Sequence, residues 1–317
     1  MSRMTDIIVL VAPEEGELPG LQTLSESARI QTLSSEQELK AALPNADVLV
    51  VTDFRTGLLE RCWPDQHNIQ WVHATSAGID ALRFPALWDS DIPVTNARGL
   101  FDRGIAEYVL GSILLFAKDF AGNLRYQQQH QWRHRDTERI DGRQVLIVGA
   151  GSIGGEVSQL LRATGMQVTG LARSSRDDPR FDRVLANDRL PELLPEADFV
   201  VITAPLTENT RGLFDRHTFA AMKPTARLIN VGRGPIVVTD DLVEALNSGT
   251  IAGAALDVFE EEPLPSEHPL WDMPNVMMSA HMAGDFIGWR QALGEQFVDN
   301  FRRWQAGDPL LNEVRKA

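Results

Sequence analysis

The sequence predicts an α/β protein with two doubly wound parallel sheets. Short apolar runs alternate with helix-like segments along most of the 317 residues, and this alternation is typical of parallel strands joined by helical crossovers. A second series of strands starts in mid-chain at Gln144–Val148 and is followed at once by a glycine-rich loop at residues 149–154. The length of the chain suffices for two domains of ordinary size.

The first sheet is predicted from four buried-strand patterns. Ser34 or Ser35 is suited to cap a helix at residues 35–43, with Glu38 in its first turn. The predicted strands are residues 7–12, 47–52, 69–74 and 92–96.

A long buried helix and the second sheet follow. Apolar spacing predicts one long helix within residues 99–129, which continues into the polar segment 126–143. We expect a first domain at residues 1–98, completed by 287–317, and a second domain at 99–286. The second set of predicted strands is Gln144–Val148, Gln167–Ala172, 199–204, 227–231, 252–256 and 276–279, with helices at 154–164, 240–248 and 289–305.

Composition and charge exclude several classes of function. The net charge of −14 argues against non-specific binding to nucleic acid, which needs a basic surface. Cys62 is the only cysteine, so we expect neither an intrachain disulfide nor a metal site. Since no apolar stretch reaches the ~18 residues of a membrane span and no signal segment is evident, we expect a cytoplasmic protein without membrane contact.

The glycine loop predicts a phosphate-binding turn. A buried strand, the sequence Gly-Ala-Gly-Ser-Ile-Gly and a helical segment follow one another in the order that dinucleotide sites require. Gly149 permits the turn, Gly151 leaves room for a pyrophosphate and Gly154 lets the helix approach the strand. The helix N-terminus adds free N–H groups and a positive dipole end. A tight turn without a ligand is the alternative.

The end of the next predicted strand favours NADP(H), with NAD(H) still possible. NAD enzymes commonly place a carboxylate here for the ribose 2′-hydroxyl, but this chain has Arg173, Ser174 and Arg176, and its first carboxylate is Asp177. A guanidinium binds a 2′-phosphate in a forked geometry, whereas a carboxylate repels it. The alternative is that these arginines belong to a solvated loop.

Three further side chains, Arg233, Glu262 and His281, lie at or beyond successive strand ends of the second sheet. Each alone is more often structural, but together they suit hydride transfer to a carbonyl. Imidazolium at His281 can protonate the alkoxide that such a transfer leaves, and Glu262 would favour that charged form and fix its tautomer. Arg233 can hold the carboxylate of a 2-oxo acid and polarise its carbonyl.

With these residues in place, the chain resembles the D-isomer-specific 2-hydroxyacid dehydrogenases over nearly its whole length. The resemblance implies a Rossmann-type cofactor domain and a flavodoxin-like substrate domain with a cleft between them. The matching motifs are residues 75–80, 105–107, 149–154, 204–207 with Thr210, 228–234, 253–263 and 281–284.

The resemblance implies a role for each matching position. It makes His281 the proton donor, Glu262 its partner and Arg233 the substrate-binding arginine. Backbone groups of Ala77 and Gly78 would bind the substrate together with Arg233 and His281. The full set of predicted cofactor-binding residues is Gly149, Gly151, Ser152, Ile153, Gly154, Arg173, Ser174, Arg176, Ala204, Pro205, Thr210, Val231, Gly232, Arg233, Asp257 (on the nicotinamide carboxamide), His281, Ala283 and Gly284.

Details of the motifs look most like the glyoxylate/hydroxypyruvate reductase branch. They are the Ser-Ala-Gly sequence at residues 76–78 and the Arg-Ser pair at 173–174. Ala280 stands where the family usually has proline before its histidine. Ala283 stands where the formate dehydrogenase branch has serine, which argues against that branch. The arm through Trp132 resembles the family's dimer region, so we expect a homodimer in which Trp132 is a specificity residue or an interface aromatic.

We therefore expect an NADP(H)-preferring enzyme that reduces small 2-oxo acids, such as glyoxylate or hydroxypyruvate, to D-2-hydroxy acids. Side chains near residues 52–55, Trp132 and residues 286–289 are candidates for shaping the substrate pocket. One alternative is a dinucleotide-sensing binding protein or corepressor-like module of the same fold. Another is a phosphonate- or formate-oxidising enzyme of the same family.

Overall fold

A computed structural model describes residues 3–52 and 57–316 of the protein. The chain divides into two compact units, one made of residues 1–101 and 286–317 and the other of residues 102–285. Residues 53–55, which the sequence makes candidates for shaping a substrate pocket, lie outside the described part. Within that part, every helix is too short or too polar to cross a lipid bilayer.

The first unit contains a parallel five-stranded sheet in the order β2-β1-β3-β4-β5 among the residues described. Ser35 caps α1 by accepting a hydrogen bond from the Glu38 N–H at 3.3 Å, as its sequence predicts. The elements are β1 (Thr5–Leu10), β2 (Ala28–Leu33), α1 (Glu36–Ala42), β3 (Val48–Val51), α2 (Leu58–Cys62), β4 (Trp71–Ala74), α3 (Pro85–Trp88) and β5 (Val94–Thr95).

The second unit contains a parallel seven-stranded sheet in the order β12-β11-β10-β9-β6-β7-β8 among the residues described. Its helices and strands are α4 (Asp102–Ala117), α5 (Phe120–Gln128), β6 (Gln144–Val148), α6 (Ser152–Ala163), β7 (Gln167–Ala172), β8 (Arg183–Ala186), α7 (Leu190–Leu193), β9 (Phe199–Ile202), α8 (Arg216–Ala220), β10 (Arg227–Asn230), α9 (Thr239–Asn247), β11 (Gly253–Leu256) and β12 (Val276–Met278). The strand order reverses direction between β6 and β9, which is where doubly wound sheets bind their ligands. The predicted fold class is confirmed.

The predicted long helix is wrong in one respect, because it consists of two helices. α4 ends at Ala117, and Asp119 has a φ of 46° in the left-handed region. Its carboxylate then accepts a hydrogen bond from the Gly122 N–H at 3.0 Å and so caps α5. Aspartate is one of the few non-glycine residues that adopt this conformation, so the chain turns here although the apolar spacing continues.

A last helix, α10 (Trp289–Ala306), belongs to the first unit. Leu293, Phe297 and Phe301 are buried in one apolar cluster with strand residues that include Trp71. The rings of Trp71 and Phe297 stack with their centroids 5.3 Å apart. The face of the first sheet is therefore completed by a segment that follows the whole second unit in the chain.

Candidate active site

Most of the predicted site residues follow carboxyl ends of strands in the second sheet. Because all its strands are parallel, these loops lie at one edge of the sheet. They are the glycine loop after β6, residues 173–176 after β7, residues 204–210 after β9, Arg233 after β10, Asp257 after β11 and His281 after β12.

The glycine loop is shaped by two close backbone approaches. Gly149 has a φ of 114°, and a Cβ there would lie 2.6 Å from the backbone nitrogen of Ala204. A Cβ on Gly154 would lie 2.2 Å from the carbonyl oxygen of Gly149. By contrast, a Cβ on Gly151 would meet nothing within 4 Å. The fold itself therefore requires glycine at positions 149 and 154, whereas Gly151 borders open space.

This cradle fits the pyrophosphate of a dinucleotide. α6 begins at Ser152, and its cap residue Gly151 supplies no side-chain hydrogen bond. The first amides of a helix have no partner within the helix, so those of Ser152 and Ile153 are suited to bind an anion. The Ser152 hydroxyl hydrogen-bonds to the buried carboxylate of Asp102. Ser152 would therefore bind a phosphate through its backbone.

We predict different effects for alanine at Gly154 and at Gly151. Gly154→Ala should destabilise the protein by roughly 1–3 kcal/mol, since its Cβ meets backbone that must move. Gly151→Ala should leave the melting temperature of the cofactor-free protein unchanged but weaken dinucleotide binding at least tenfold, since its methyl group would occupy the pyrophosphate position. Thermal melting and a fluorescence titration measure the two effects. Wild-type affinity in Gly151→Ala would show that the open space beside Gly151 is not the pyrophosphate site.

The predicted 2′-phosphate residues after β7 differ in how they are held. Arg173 and Ser174 are exposed, and no side-chain hydrogen bond or ion pair of either is found among the described residues. The Arg176 guanidinium instead donates to the carbonyl of Ala150 and lies 3.6 Å from the carboxylate of Asp178. The Arg176 guanidinium is thus already bonded to the glycine loop, whereas the exposed Arg173 side chain is better placed to bind a ligand phosphate.

Arg233 is positioned by a turn that Asn230 organises. The buried Asn230 side chain accepts from the Gly232 N–H at 3.1 Å and donates to the Arg233 carbonyl at 3.2 Å. A Cβ on Gly232 would lie 2.9 Å from the carbonyl oxygen of Ala204, so two predicted cofactor loops approach each other here. The Arg233 guanidinium donates to the Gly232 carbonyl at 2.8 Å. These bonds order the turn beneath the cation.

His281 and Glu262 form a directly bonded pair. Nδ1 of His281 lies 2.8 Å from Oε2 of Glu262, and the two side chains are 27% and 26% exposed. The other Glu262 oxygen accepts from the Phe259 N–H at 2.9 Å. Partial burial raises the pKa of Glu262, but the hydrogen bonds from His281 and Phe259 and the charges of His281 and Arg233 outweigh it and lower the pKa overall. Glu262 is therefore a carboxylate that holds the imidazole of His281 through Nδ1.

The His281 backbone is held in an unusual conformation. Its φ of 52° lies in the left-handed region, which costs about 1–2 kcal/mol for a residue with a Cβ. The His281 N–H donates to the Asp257 carbonyl at 2.8 Å. The Asp257 carboxylate accepts from the N–H groups of Met282 and Ala283 at 2.8 and 2.9 Å. Asp257, predicted as a contact of the nicotinamide carboxamide, thus also holds the loop that bears His281.

The remaining predicted residues fall into three groups. Thr210 closes the loop after β9, because its hydroxyl donates to the Pro205 carbonyl at 2.7 Å. Val231 and Ala283 are buried beside Gly232 and Gly284 in the loops just described. Ala77 and Gly78 lie in the first unit after β4. The Ala77 carbonyl accepts a hydrogen bond from the Asn96 side chain at 2.7 Å. This loop is therefore held by a residue of its own unit.

The sequence gives little signal for four supporting residues. Asn230 lies in a recognised motif, but its hydrogen-bonding role depends on the turn. Asp102, Tyr108 and Ser279 meet their partners only after folding. In residues 3–52 and 57–316, no cluster of three or more histidine, cysteine, aspartate or glutamate side chains is arranged to hold a metal ion.

A doubly wound seven-stranded sheet with this glycine loop at its switch point defines a dinucleotide-binding protein. The family model described as "D-isomer specific 2-hydroxyacid dehydrogenase, NAD binding domain" matches residues 110–283, which are more than half of the chain. The protein belongs to the D-isomer specific 2-hydroxyacid dehydrogenase family. The resemblance that the motifs predict is confirmed, and a nicotinamide dinucleotide is the cofactor.

Known proteins with high similarity include reductases. The glyoxylate/hydroxypyruvate reductase A of Serratia proteamaculans is 33% identical over 249 residues, which are 76% of this chain and 78% of that protein. The structure of a D-isomer specific 2-hydroxyacid dehydrogenase family protein from Aeromonas salmonicida is 30% identical, with a TM-score of 0.83 over 99% of this chain and 100% of that one. The NADPH-dependent glyoxylate/hydroxypyruvate reductase of Sinorhizobium meliloti, solved with NADP and sulfate, is 28% identical, with a TM-score of 0.83 over 98% of each chain.

Proposed function

We propose that the protein reduces small 2-oxo acids of the glyoxylate and hydroxypyruvate type to D-2-hydroxy acids, with His281 as the proton donor. The observation that carries the proposal is the 2.8 Å contact between Nδ1 of His281 and the Glu262 carboxylate. The positive charge of Arg233 acts on the same carboxylate. The proposed acid His281, its partner Glu262 and the proposed carboxylate-binding cation Arg233 thus form one interacting group of side chains.

The chemistry assigned to this group follows from its charges. A reduced nicotinamide dinucleotide, when bound, would supply the hydride that the carbonyl carbon of the substrate accepts. Arg233 binds the substrate carboxylate, and its charge favours the negative charge that develops on the carbonyl oxygen. His281 donates a proton from Nε2 to that oxygen, and Glu262 stabilises the imidazolium before the transfer. We assign the first unit to substrate binding through Ala77 and Gly78 and the second to the cofactor.

The reductase assignment is tested with a panel of substrates. Purified protein with NADPH should reduce glyoxylate or hydroxypyruvate faster than 2-oxo acids with large side chains. Names of relatives support this choice, since reductases of both acids are similar over three quarters of this chain or more. Failure of a broad panel of 2-oxo acids, with cofactor still bound, would exclude the enzymatic proposal.

We propose that NADP(H) is preferred over NAD(H) and that Arg173 binds the 2′-phosphate. Arg173 and Ser174 follow β7 and are exposed. The related Sinorhizobium meliloti reductase is described as NADPH-dependent. Arg176 contributes indirectly in this proposal, because it is bonded to the Ala150 carbonyl of the glycine loop.

Arg173→Ala should weaken NADPH binding by about 10–100-fold and change NADH binding less than about twofold, since a charged hydrogen bond contributes roughly 1.5–3 kcal/mol. Paired kinetics with both cofactors on one substrate measure the ratio. Arg189→Ala is a suitable control, because Arg189 is an exposed arginine of the same unit that pairs with Glu192. An equal loss with both cofactors would place Arg173 elsewhere than at the 2′-phosphate.

We also propose a homodimer formed through α5 and the arm that follows it. Phe120 and Leu124 on α5 are 48% and 61% exposed, and Trp132 is fully exposed. Phe120 and Leu124 are four residues apart on α5 and therefore lie on one face of the helix, and exposed large apolar side chains on one face are typical of association surfaces. Trp132 is then either buried in the interface or close to a partner's substrate site.

A further inference from the structure

A chain of side-chain hydrogen bonds leads from helix α4 to the loop of His281. The Tyr108 hydroxyl lies 2.6 Å from the Ser279 hydroxyl, which lies 2.6 Å from Oδ1 of Asp257. Tyr108 belongs to α4 and Ser279 directly follows β12. Helix α4 and the segments that follow β11 and β12 are therefore joined by hydrogen bonds next to the loop that bears the proposed proton donor.

The direction of these hydrogen bonds follows from the available protons. The Asp257 carboxylate accepts the two amide N–H groups of Met282 and Ala283, so it is an acceptor for Ser279 as well. Ser279 has one hydroxyl proton and gives it to Asp257. Tyr108 must then donate to Ser279, 2.6 Å away, and not to the Met277 sulfur, a weaker acceptor at 3.4 Å. Burial raises the pKa of Tyr108, and the nearby charge of Asp257 adds to that effect against the opposing hydrogen bond of Ser279, so the phenol keeps the proton it donates.

The Asp257 carboxylate, where these hydrogen bonds end, is buried and also binds the backbone of the loop that bears His281. Asp257 is 3% exposed, and among the described residues its carboxylate accepts hydrogen bonds from Ser279, Met282 and Ala283. Two of the donors are the amides that directly follow His281, whose own φ of 52° must be maintained. Loss of the Ser279 donor would leave this buried carboxylate with one hydrogen bond fewer, which is unfavourable. A carboxylate that shifts to find another donor would loosen its bonds to the two amides.

We propose that Tyr108 and Ser279 are positioning residues that hold His281 in its proton-donating orientation through Asp257. The inference rests on the proposed role of His281 as proton donor. In this proposal the His281 side chain is held through Nδ1 by Glu262, and its backbone is held by the hydrogen bonds that run from Tyr108 through Ser279 to Asp257. Neither hydroxyl needs to touch the substrate or the cofactor.

The test compares Tyr108→Phe, Ser279→Ala and Ser279→Thr with a control on the same helix. Tyr108→Phe should lower kcat about 10-fold, while KM for the 2-oxo acid and the NADPH dissociation constant stay within about twofold. Ser279→Ala should lower kcat at least as much, and Ser279→Thr should restore most of it because it keeps the hydroxyl. The double variant should be no worse than Ser279→Ala, since the two residues act in one chain.

Ser112→Ala is the matched control. It removes a buried hydroxyl from α4 that bonds only to the backbone carbonyl of Tyr108 among the described residues, so kcat should stay within about twofold of wild type. A second measurement does not depend on activity. Amide hydrogen exchange at Met282 and Ala283 in the cofactor-free protein should become about 10-fold faster in Tyr108→Phe and stay unchanged in Ser112→Ala.

The outcomes separate this inference from the proposed function. If wild-type protein reduces no 2-oxo acid, the proposed function fails, and the exchange rates still decide whether Tyr108 orders the loop. If the wild type is active but Tyr108→Phe keeps wild-type kcat, the positioning role is wrong whatever the exchange shows. Unchanged exchange at both amides, or a loss that appears in KM instead of kcat, would equally overturn it.

Discussion

Replacement of His281 by glutamine should lower the rate of 2-oxo acid reduction by roughly 10²–10⁴-fold, the usual contribution of a positioned general acid. Glutamine has a similar reach and can hydrogen-bond to Glu262, but it cannot donate a proton as an acid. Since the glycine loop and Arg173 are untouched, NADPH affinity should remain within about threefold of wild type. Single-turnover kinetics with saturating cofactor measure the loss at the chemical step.

His217→Gln is the matched control for this variant. His217 is an exposed histidine on α8 in the same unit and has no part in the proposed reaction. Its variant should retain wild-type turnover and NADPH affinity. A His281→Gln protein with more than about a hundredth of wild-type activity would contradict the role of His281, because a general acid contributes about 100-fold or more.

Replacement of Arg233 by methionine should lower kcat/KM for hydroxypyruvate by about 10²–10³-fold, as expected when one partner of a charged pair is removed. Lysine should restore only part of the loss, since it cannot bind a carboxylate with two parallel N–H groups. The decisive comparison uses dihydroxyacetone, in which a hydroxymethyl group replaces the carboxylate of hydroxypyruvate. Its low wild-type rate should change far less than the rate for hydroxypyruvate.

Arg216→Met serves as a control for the loss of a positive charge. Arg216 is an exposed arginine of α8 that pairs with Asp241, and its loss should leave both substrates unaffected. If Arg233→Met lowered the two rates in equal proportion, Arg233 would not be the group that recognises the substrate carboxylate.

Local patterns in the sequence were enough to predict the fold class and the residues at the strand ends. Strands buried on both faces form apolar runs, and a glycine loop between a strand and a helix is a short local motif that can be recognised in the sequence. The pairing of Glu262 with His281 was also expected, because their chemistry is complementary and their strands are neighbours. The structure places the two side chains in direct contact.

Other features depend on packing that no local pattern reveals. The strands β2 and β8 were missed because their apolar runs are interrupted or short. Arg29, Gln31 and Thr32 interrupt β2, and only three apolar residues follow Arg183 in β8. The break between α4 and α5 comes from the single residue Asp119. The bonds of Tyr108 to Ser279 and of Ser279 to Asp257 join positions far apart in the chain, so their roles appear only once three elements have come together.

The place of α10 also has a consequence for synthesis of the protein. Strands β1 to β5 leave the ribosome first, but the helix that buries Phe297 and Phe301 against them is translated after the entire second unit. The second unit is one continuous segment and is able to fold during translation. Until α10 is translated, the part of the sheet face that it covers lacks its partner, and transiently exposed apolar surface of this kind favours aggregation.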